Sequence, residues 1–489
     1  MIRGLPVLTV TGPTNIEIDT IEYDSRLVRG DSLFFAVNGF AHDGYDFIKQ
    51  AKAGGAVAVM GVRNGCNAVP THVQVADIRQ AMADVAARFY GFPGRYLDVC
   101  GVSGTNGKTT VCHLIRRILE KSGKKAGMVT SIVYDTAGET FPAERTTPES
   151  LDLQRLLLLM RKNRCTHAVI EVSSHSLVLK RVEHIQFQVA VFTNFTRDHL
   201  DFHHTMDEYL RAKSLLLEKL DSEYGCAVIN LDVPEFRQFF GGLKSSHLTY
   251  SLSDTSADVY ARSYQFESDR TMFDLVTPAG SRTVTYHLPG RFNLINALAA
   301  AAAGLASGVD LDSIVGGLET AGPVPGRLNV VKSTAPFTVY VDYAHTPDAI
   351  ERLCQSAREI AQRNLLLLSG CGGNRDKGKR PLMGRAATTF ADFAVITSDN
   401  PRDEDPQAIM EEIVSGIRSD NYECHVDRRK AIRAILQRAQ PGDTIVLAGK
   451  GAEKYQEIKG VKHPFDEVKE VQIALAEAGY GQSEQDASS

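Results

Sequence analysis

The residues with the clearest chemical meaning are GVSGTNGKTT, Gly101 to Thr110, set between the strand-like LDVCGVSG and the amphipathic VCHLIRRILEKSG. A glycine-rich turn that opens a helix points backbone N–H groups and the helix dipole at one spot, where a phosphate is stabilised. Within it, Gly104, Thr105, Asn106, Gly107, Lys108, Thr109 and Thr110 are the candidate ATP-binding residues. Lys108 is placed to reach the β- and γ-phosphates and Thr109 to reach magnesium. Val102 stands where the strict GxxxxGK[ST] pattern has glycine, so the assignment leans on the strand, loop and helix around the motif as well. Phosphate chemistry also needs hard oxygen ligands for a divalent cation, and Glu171, ending the apolar run HAVIEV, is a candidate. Taken locally, Glu171 has a lesser reading as a helix cap, a lone histidine such as His199 is more often structural, and Lys213 in EYLRAKSLLLEKL reads as a solvated helix lysine.

These groups must be positioned by several elements. SLFFAV, IKQAKAGGA and VAVMGV give an amino-terminal α/β pattern, with a boundary near Phe92 and Pro93. LDVCGVSG, HAVIEVSS and VAVFTNF read as buried parallel strands of a nucleotide-binding core. Short alternating runs from Asp258 to His287 predict a small antiparallel sheet, followed by an alanine-rich helix, NLINALAAAAAGLA. From Gly326, FTVYVDYAH, RNLLLLSGCGG, FAVITSD and TIVLAGKG predict a doubly wound third domain. The expectation is an α/β chain of three domains: residues 1–94, a central 95–325 and a Rossmann-like 326–489, with a disordered tail, GQSEQDASS.

Composition narrows the partners. A chain of 489 residues with 43% hydrophobic and 23% charged residues is ordinary for a globular protein, and a formal charge of −5 carries no footprint for nucleic acid. No run reaches the roughly 18 apolar residues of a membrane span, and no signal peptide opens the chain, so a cytoplasmic protein is expected; a monomer is expected as well. Eight cysteines without CxxC pairs fit reduced thiols, mostly small apolar fillers.

GTNGKTT, EVSSH (Glu171 to His175), NFTRDHLDFH (Asn194 to His203), GRFNLINA (Gly290 to Ala297), DYAHTPD (Asp342 to Asp348) and DNPR (Asp399 to Arg402) together resemble the Mur ligase superfamily, which holds the peptidoglycan ligases and folylpolyglutamate synthase. The resemblance runs along essentially the whole chain. It implies an ATP-dependent ligase that activates a carboxylate as an acyl phosphate and joins it to an amine. It also implies Mg2+ held by Thr109, Glu171, His199 and Lys213, the last as a CO2-derived carbamate, with Lys108, His199 and Lys213 as the catalytic set. An ammonium would repel the metal, whereas an anionic carbamate binds it.

By the same resemblance, Asn293 of the central domain contacts the adenine, and Arg327 and Asp342 grip the nucleotide from the carboxy-terminal domain. Ser25 in DSR, His42 in HDG, Thr146 and Thr147 in RTTPES, Ser173 and Arg181 hold a UDP-N-acetylmuramoyl dipeptide, although Leu179 replaces a glutamine of the related VQHR string. Arg375, Asp399, Asn400, Pro401, Arg402, Gly449 and Glu453 take the incoming amino acid. DNPR implies that this is meso-diaminopimelate, whose second carboxylate Arg402 would hold by paired hydrogen bonds. Ala452 replaces the histidine of the usual GKGHE. Read locally, SDNPRDED is a strand-end turn and the basic loop is a solvated one. L-Lysine addition, a folylpolyglutamate synthase and a regulatory P-loop ATPase are the rival functions.

Overall fold

The computed structural model describes residues 2–39, 42–64, 68–243, 245–267 and 269–481; Cys66 and the tail beyond Gly481 lie outside them. The chain divides into two compact units, Met1–Tyr250 with Ala299–Ile314, and Ser251–Leu298 with Val315–Ser489.

The first unit begins with a five-stranded sheet in the order Val7–Thr11, Thr71–Val75, Ala56–Gly61, Ser32–Phe35 and Thr20–Glu22, antiparallel only at its first pair. Leu33, Phe35, Met60 and Val73 pack with Met82 and Val85 of the helix Ile78–Phe89. That helix starts because the Asp77 carboxylate accepts the Arg79 and Gln80 N–H groups, satisfying donors that a helix leaves open.

The phosphate loop sits in a larger sheet ordered Ser246–Ser251, Cys226–Asn230, Val189–Phe192, Asp98–Ser103, His167–Glu171 and Ala126–Val129, all parallel. Two short antiparallel strands, Val133–Asp135 and Thr140–Pro142, extend it. Four of these parallel strands are buried along their entire length, as helices on both faces require, which is why they read as unbroken apolar runs. Chain order reverses around Asp98–Ser103: the path from it leads first to one side, through Ala126–Val129 and back to His167–Glu171, then to the other at Val189–Phe192. A crevice opens at the carboxyl ends of strands at such a reversal.

The second unit contains an antiparallel meander, Val259–Phe266, Thr271–Thr277 and Gly280–Tyr286, whose middle strand alternates strictly between buried and half-buried residues. Its six-stranded sheet runs Asn329–Val330, Thr338–Asp342, Thr444–Ala448, Leu365–Ser369, Phe393–Thr397 and Tyr422–His425, parallel after the first pair. Helices Pro347–Ile360 and Lys379–Phe390 cover one face, and Arg428–Arg438 and Glu467–Glu477 the other. Among the described residues, no helix is long and apolar enough to cross a membrane.

Candidate active site

The phosphate loop leaves its strand at Ser103, and the helix Lys108–Lys121 begins with the loop lysine itself. Gly104 and Gly107 adopt φ of +141° and +82°. At Gly104 a Cβ would stand 1.9 Å from Thr193 Oγ1, so only glycine fits. The loop's shape is enforced from another strand end. Thr193 Oγ1 donates to the Asn106 carbonyl at 2.6 Å, the Asn106 N–H donates to Asn194 Oδ1 at 2.8 Å, and the Thr105 N–H donates to the Asn194 carbonyl at 3.0 Å. NFTRDH thus begins by bracing the loop, a role absent from the sequence reading.

Glu171 ends the strand beside the loop, 3% exposed. One carboxylate oxygen accepts the Thr109 hydroxyl at 2.9 Å and the Ser131 N–H at 3.0 Å, and the other lies 3.9 Å from Lys108 Nζ. Lys108 Nζ also donates to the Thr105 carbonyl at 2.8 Å. An ammonium, a hydroxyl and a carboxylate therefore meet at the mouth of the loop. Ser131 joins them without a signal in its own sequence context.

Lys213 is not a solvated lysine. It is 1% exposed, its Nζ donates to the Gly104 carbonyl at 2.7 Å and stands 4.3 Å from the centre of the Tyr209 ring. Burial, helped by the positive charge of Lys108, holds its amine well below the usual lysine range. Tyr209 OH in turn lies 3.2 Å from Thr105 Oγ1, so this helix is tied to the loop twice.

His199 takes a left-handed φ of +54° at the start of the turn Leu200–His203. Its ring meets His175 edge-on at 4.8 Å, while His175 stacks on Phe202 at 4.2 Å. Burial and the neighbouring imidazoles push His175 and His203 down to about 4.

The residues expected at the nucleotide-sugar substrate fall into two neighbouring groups. Thr147 Oγ1 donates to the Glu171 carbonyl at 2.7 Å and accepts the Ser173 N–H at 3.2 Å; Arg181 reaches the Thr147 carbonyl at 3.1 Å and Glu149 at 2.8 Å. Thr146 is half-buried beside them. Ser25 and His42 line a cavity of about 460 Å³ with Phe47, Arg79, Arg145 and Glu149. Glu149 joins the groups, because it also accepts from Arg79 at 3.1 Å. Arg79 and Arg145 were missed, since an arginine in a helix or loop carries no local mark of a cavity lined by segments far apart in the chain.

In the second unit Asn293, 8% exposed, donates to the Pro289 carbonyl at 2.8 Å. The Asp342 carboxylate is occupied by the N–H groups of Leu328 and Ala344 at 2.7 and 2.8 Å, and so fixes the turn that carries Arg327. Arg327 lies over the Tyr343 ring at 5.4 Å.

The carboxyl ends of Phe393–Thr397 and Thr444–Ala448 bring DNPR to GKGAE. Asn400 donates to Glu453 at 2.8 Å. Between them lies a residue that sequence reasoning passed over: Lys450, fully buried, with its Nζ 2.6 Å from Asn400 Oδ1, 3.0 Å from Asp399, 3.5 Å from Glu453 and 3.0 Å from the Tyr455 carbonyl. Gly449, at φ +115°, lets this strand end pass close to Asp399. Arg402 donates to the Gly373 carbonyl at 2.8 Å and to Glu457 at 3.1 Å. Arg375 is exposed, bonded to the Asn374 carbonyl at 3.1 Å. The basic loop is only partly solvated: Arg380 is fully buried and pairs with Glu404 at 2.9 Å and Glu412 at 2.8 Å.

A phosphate loop at a strand reversal, followed by a doubly wound unit with a polar, charged strand-end cluster, is the architecture of an ATP-using ligase. The chain belongs to the Mur ligase family: residues 17–90 match the Mur ligase family catalytic domain, 102–304 the Mur ligase middle domain and 326–451 the Mur ligase glutamate ligase domain. It is 43% identical over 471 residues to the UDP-N-acetylmuramoyl-L-alanyl-D-glutamate–2,6-diaminopimelate ligase of Bacillus cereus, covering 95% of each chain. It is 42% identical over 487 residues to the ligase of the same name from Geobacillus kaustophilus, covering 98% of this chain and 99% of that one. A solved structure bearing that name matches with TM-score 0.66 and 33% identity over 95% of this chain and 98% of the other. The folylpolyglutamate synthase of Mycobacterium tuberculosis, complexed with ADP and AMPPCP, shares the fold at TM-score 0.62 and 20% identity over 76% of this chain and 92% of that one.

Proposed function

We propose that this chain adds meso-diaminopimelate to UDP-N-acetylmuramoyl-L-alanyl-D-glutamate with ATP, giving the UDP-linked tripeptide of peptidoglycan synthesis, ADP and phosphate. One observation carries the reading: a buried lysine amine, an ammonium, a hydroxyl and a carboxylate surround a single phosphate loop, in a chain similar along its length to ligases of that name. The amino-terminal sheet and its cavity speak against folylpolyglutamate synthase, for which no such domain is expected.

In the reaction an oxygen of the D-glutamate side-chain carboxylate attacks the γ-phosphorus of ATP, and the bond to ADP breaks. Lys108 offsets charge on the transferring phosphoryl group, and the loop N–H groups hold the phosphates. The amine of the incoming amino acid then attacks the acyl carbon, loses a proton and expels phosphate. Binding both reactants to one protein replaces a bimolecular encounter with an oriented one. Arg181, Thr147 and Ser173 position the nucleotide-linked acceptor. Asp399, Asn400, Arg402 and Glu453 receive the amino acid, and Arg402 selects a substrate with a second carboxylate.

Glu171 and Thr109 offer hard oxygens that fit magnesium, which would supply charge neutralisation on the phosphates. Among the described residues no three His, Cys, Asp or Glu side chains form a ready metal cage. Lys213 is suited to add an anionic ligand: it is buried against the loop, and its depressed pKa favours the free amine, which adds to the carbon of CO2 and loses one proton to give a carbamate. His199, at the start of the turn Leu200–His203, is a further candidate ligand. A nucleotide-linked acceptor fits a cytoplasmic enzyme, which we expect to act as a monomer.

The test supplies the UDP-linked dipeptide and ATP with meso-diaminopimelate, L-lysine or L-ornithine, and weighs the product. A diaminopimelate adduct alone is expected. Equal use of L-lysine refutes the specificity, and ATP turnover without acceptor and amino acid favours a regulatory ATPase.

A further inference from the structure

One acidic side chain near the strand-end cluster has no part in the reading above. Glu457 lies in Tyr455–Ile458, the first arm of a hairpin completed by Val461–Pro464. Its backbone holds Arg402 from both sides: the Arg402 N–H donates to the Glu457 carbonyl at 3.0 Å, and the Lys459 N–H donates to the Arg402 carbonyl at 2.7 Å. Arg402 is thereby kept at φ +51°, a left-handed conformation that side chains other than glycine rarely adopt. The same strand reaches the guanidinium, with Arg402 Nε donating to Glu457 Oε2 at 3.1 Å. A second anchor acts at another nitrogen, where Nη1 donates to the Gly373 carbonyl at 2.8 Å.

Two anchors on different nitrogens fix the plane of a guanidinium, which is rigid and cannot adapt by internal rotation. Among the described residues, Arg402 makes its side-chain hydrogen bonds through Nε and Nη1, which leaves Nη2 to donate to an arriving carboxylate. We propose that Glu457 is a positioning residue which orients the Arg402 guanidinium for the second carboxylate of the incoming amino acid, an inference that rests on the diaminopimelate reading of Arg402. The pair also matches its guest in charge. The far end of diaminopimelate carries both a carboxylate and an ammonium, and Arg402 with Glu457 presents one charge of each sign. L-Lysine brings only the ammonium and leaves the arginine unmatched.

The experiment measures KM for diaminopimelate, ATP and the UDP-linked dipeptide in the wild type, Glu457→Ala, Glu457→Gln, Arg402→Ala and the Arg402→Ala/Glu457→Ala double variant. Losing one hydrogen bond to a charged partner corresponds to about a tenfold change. Glu457→Ala is expected to raise KM for diaminopimelate by about that factor, with kcat and the other two KM values within about twofold. Glu457→Gln keeps an oxygen acceptor for Nε and should restore KM to within about threefold of wild type. On the Arg402→Ala background, Glu457→Ala should add nothing, since its effect passes through that arginine. If Glu457→Ala leaves KM unchanged or lowers it, or if its effect persists without Arg402, the positioning role is wrong while the role of Arg402 stands. Parallel rises in all three KM values mark general damage and overturn the proposal. If Arg402→Ala itself leaves KM unaltered, the diaminopimelate reading of Arg402 falls and the positioning role falls with it.

Discussion

Replacing Lys450 with Met keeps most of the buried volume and deletes one ammonium, so its cost follows from what that ammonium touches. Four oxygens lose it: Asn400 Oδ1 at 2.6 Å, Asp399 Oδ1, an ion-pair contact, and the Tyr455 carbonyl at 3.0 Å, and Glu453 Oε2 at 3.5 Å. The Asp399 side chain is 10% exposed and Glu453 23%, so Asp399 bears most of the loss. Burial alone would raise its pKa, but Lys450 and then Arg428 outweigh burial and hold it below the ordinary carboxylate value. Breaking a buried pair by removing one member costs about 3–5 kcal/mol, and because Arg428 remains nearby the lower end, about 3 kcal/mol, applies. Against a total stability of about 5–15 kcal/mol the variant should fold but melt early. A depressed carboxylate pKa contributes stability above the ordinary value of 3.8 that is lost as pH falls through the folded value. The gap between Lys450→Met and wild type should therefore be widest near neutral pH and close in acid. Urea unfolding followed by circular dichroism measures it, with Asp399→Asn added to Lys450→Met expected to recover much of the loss. KM for diaminopimelate should rise about tenfold or more, because Asn400 and Glu453 lose a shared anchor. A variant within about 0.5 kcal/mol of wild type with an unchanged KM would refute the reasoning.

Lys213→Met should keep the fold and cut ligation by about a hundredfold or more, and wild-type activity should fall in CO2-depleted buffer and return with bicarbonate; indifference to CO2 counts against the carbamate. Glu404 is held down to about 2 by hydrogen bonds from Arg380, so its stabilisation is complete above its ordinary value of 4.5 and disappears as pH falls toward about 2. Glu404→Gln should accordingly lower the melting temperature at pH 7 and make little difference near pH 2, which thermal scans across pH would check. Gly104→Ala forces a Cβ to within 1.9 Å of Thr193 Oγ1 in a left-handed conformation, and should raise KM for ATP steeply; an unchanged KM would show that the loop tolerates another shape.

How legible each part was depends on how far away its causes lie. The phosphate loop could be read directly because strand, turn and helix start are contiguous, and the glycines answer to local backbone geometry. The parallel strands were legible because burial on both faces leaves an unbroken apolar run. Lys213 is different: its character comes from the Gly104 carbonyl and the Tyr209 ring, so residue type and helix position suggested a solvated side chain and only the family resemblance suggested otherwise. Lys450 and Arg380 were opaque for the same reason. Each stands in a glycine-rich, charged string that looks like a surface loop, and each is fully buried because acids distant in sequence, Asp399 for one and Glu404 for the other, close over it.

This placement of charge bears on how the strand ends can discriminate among amino acids. Lys450, Arg380 and Arg428 are all fully buried and all paired, Arg428 with Glu467 at 2.6 Å. Their contribution to net stability is modest, since desolvating two ions offsets most of their attraction. What such pairs supply is geometry. Arg428 also donates to the Ala448 carbonyl at 2.9 Å and lies 3.4 Å from the Ser398 carbonyl, so one cation joins the two strand ends from which GKGAE and DNPR emerge. Arg380 links the loop before its helix, through Gly372, to Glu404 just beyond DNPR. Arg402 sits inside this frame with its guanidinium only partly engaged and its side chain 19% exposed. A group so held loses little conformational freedom when a carboxylate arrives, and it cannot relax toward solvent when the guest brings none. If Arg402 receives a second carboxylate as proposed, preference would come from the penalty on the wrong amino acid as much as from attraction to the right one, and the buried cations would sustain that penalty by keeping the strand ends from adjusting.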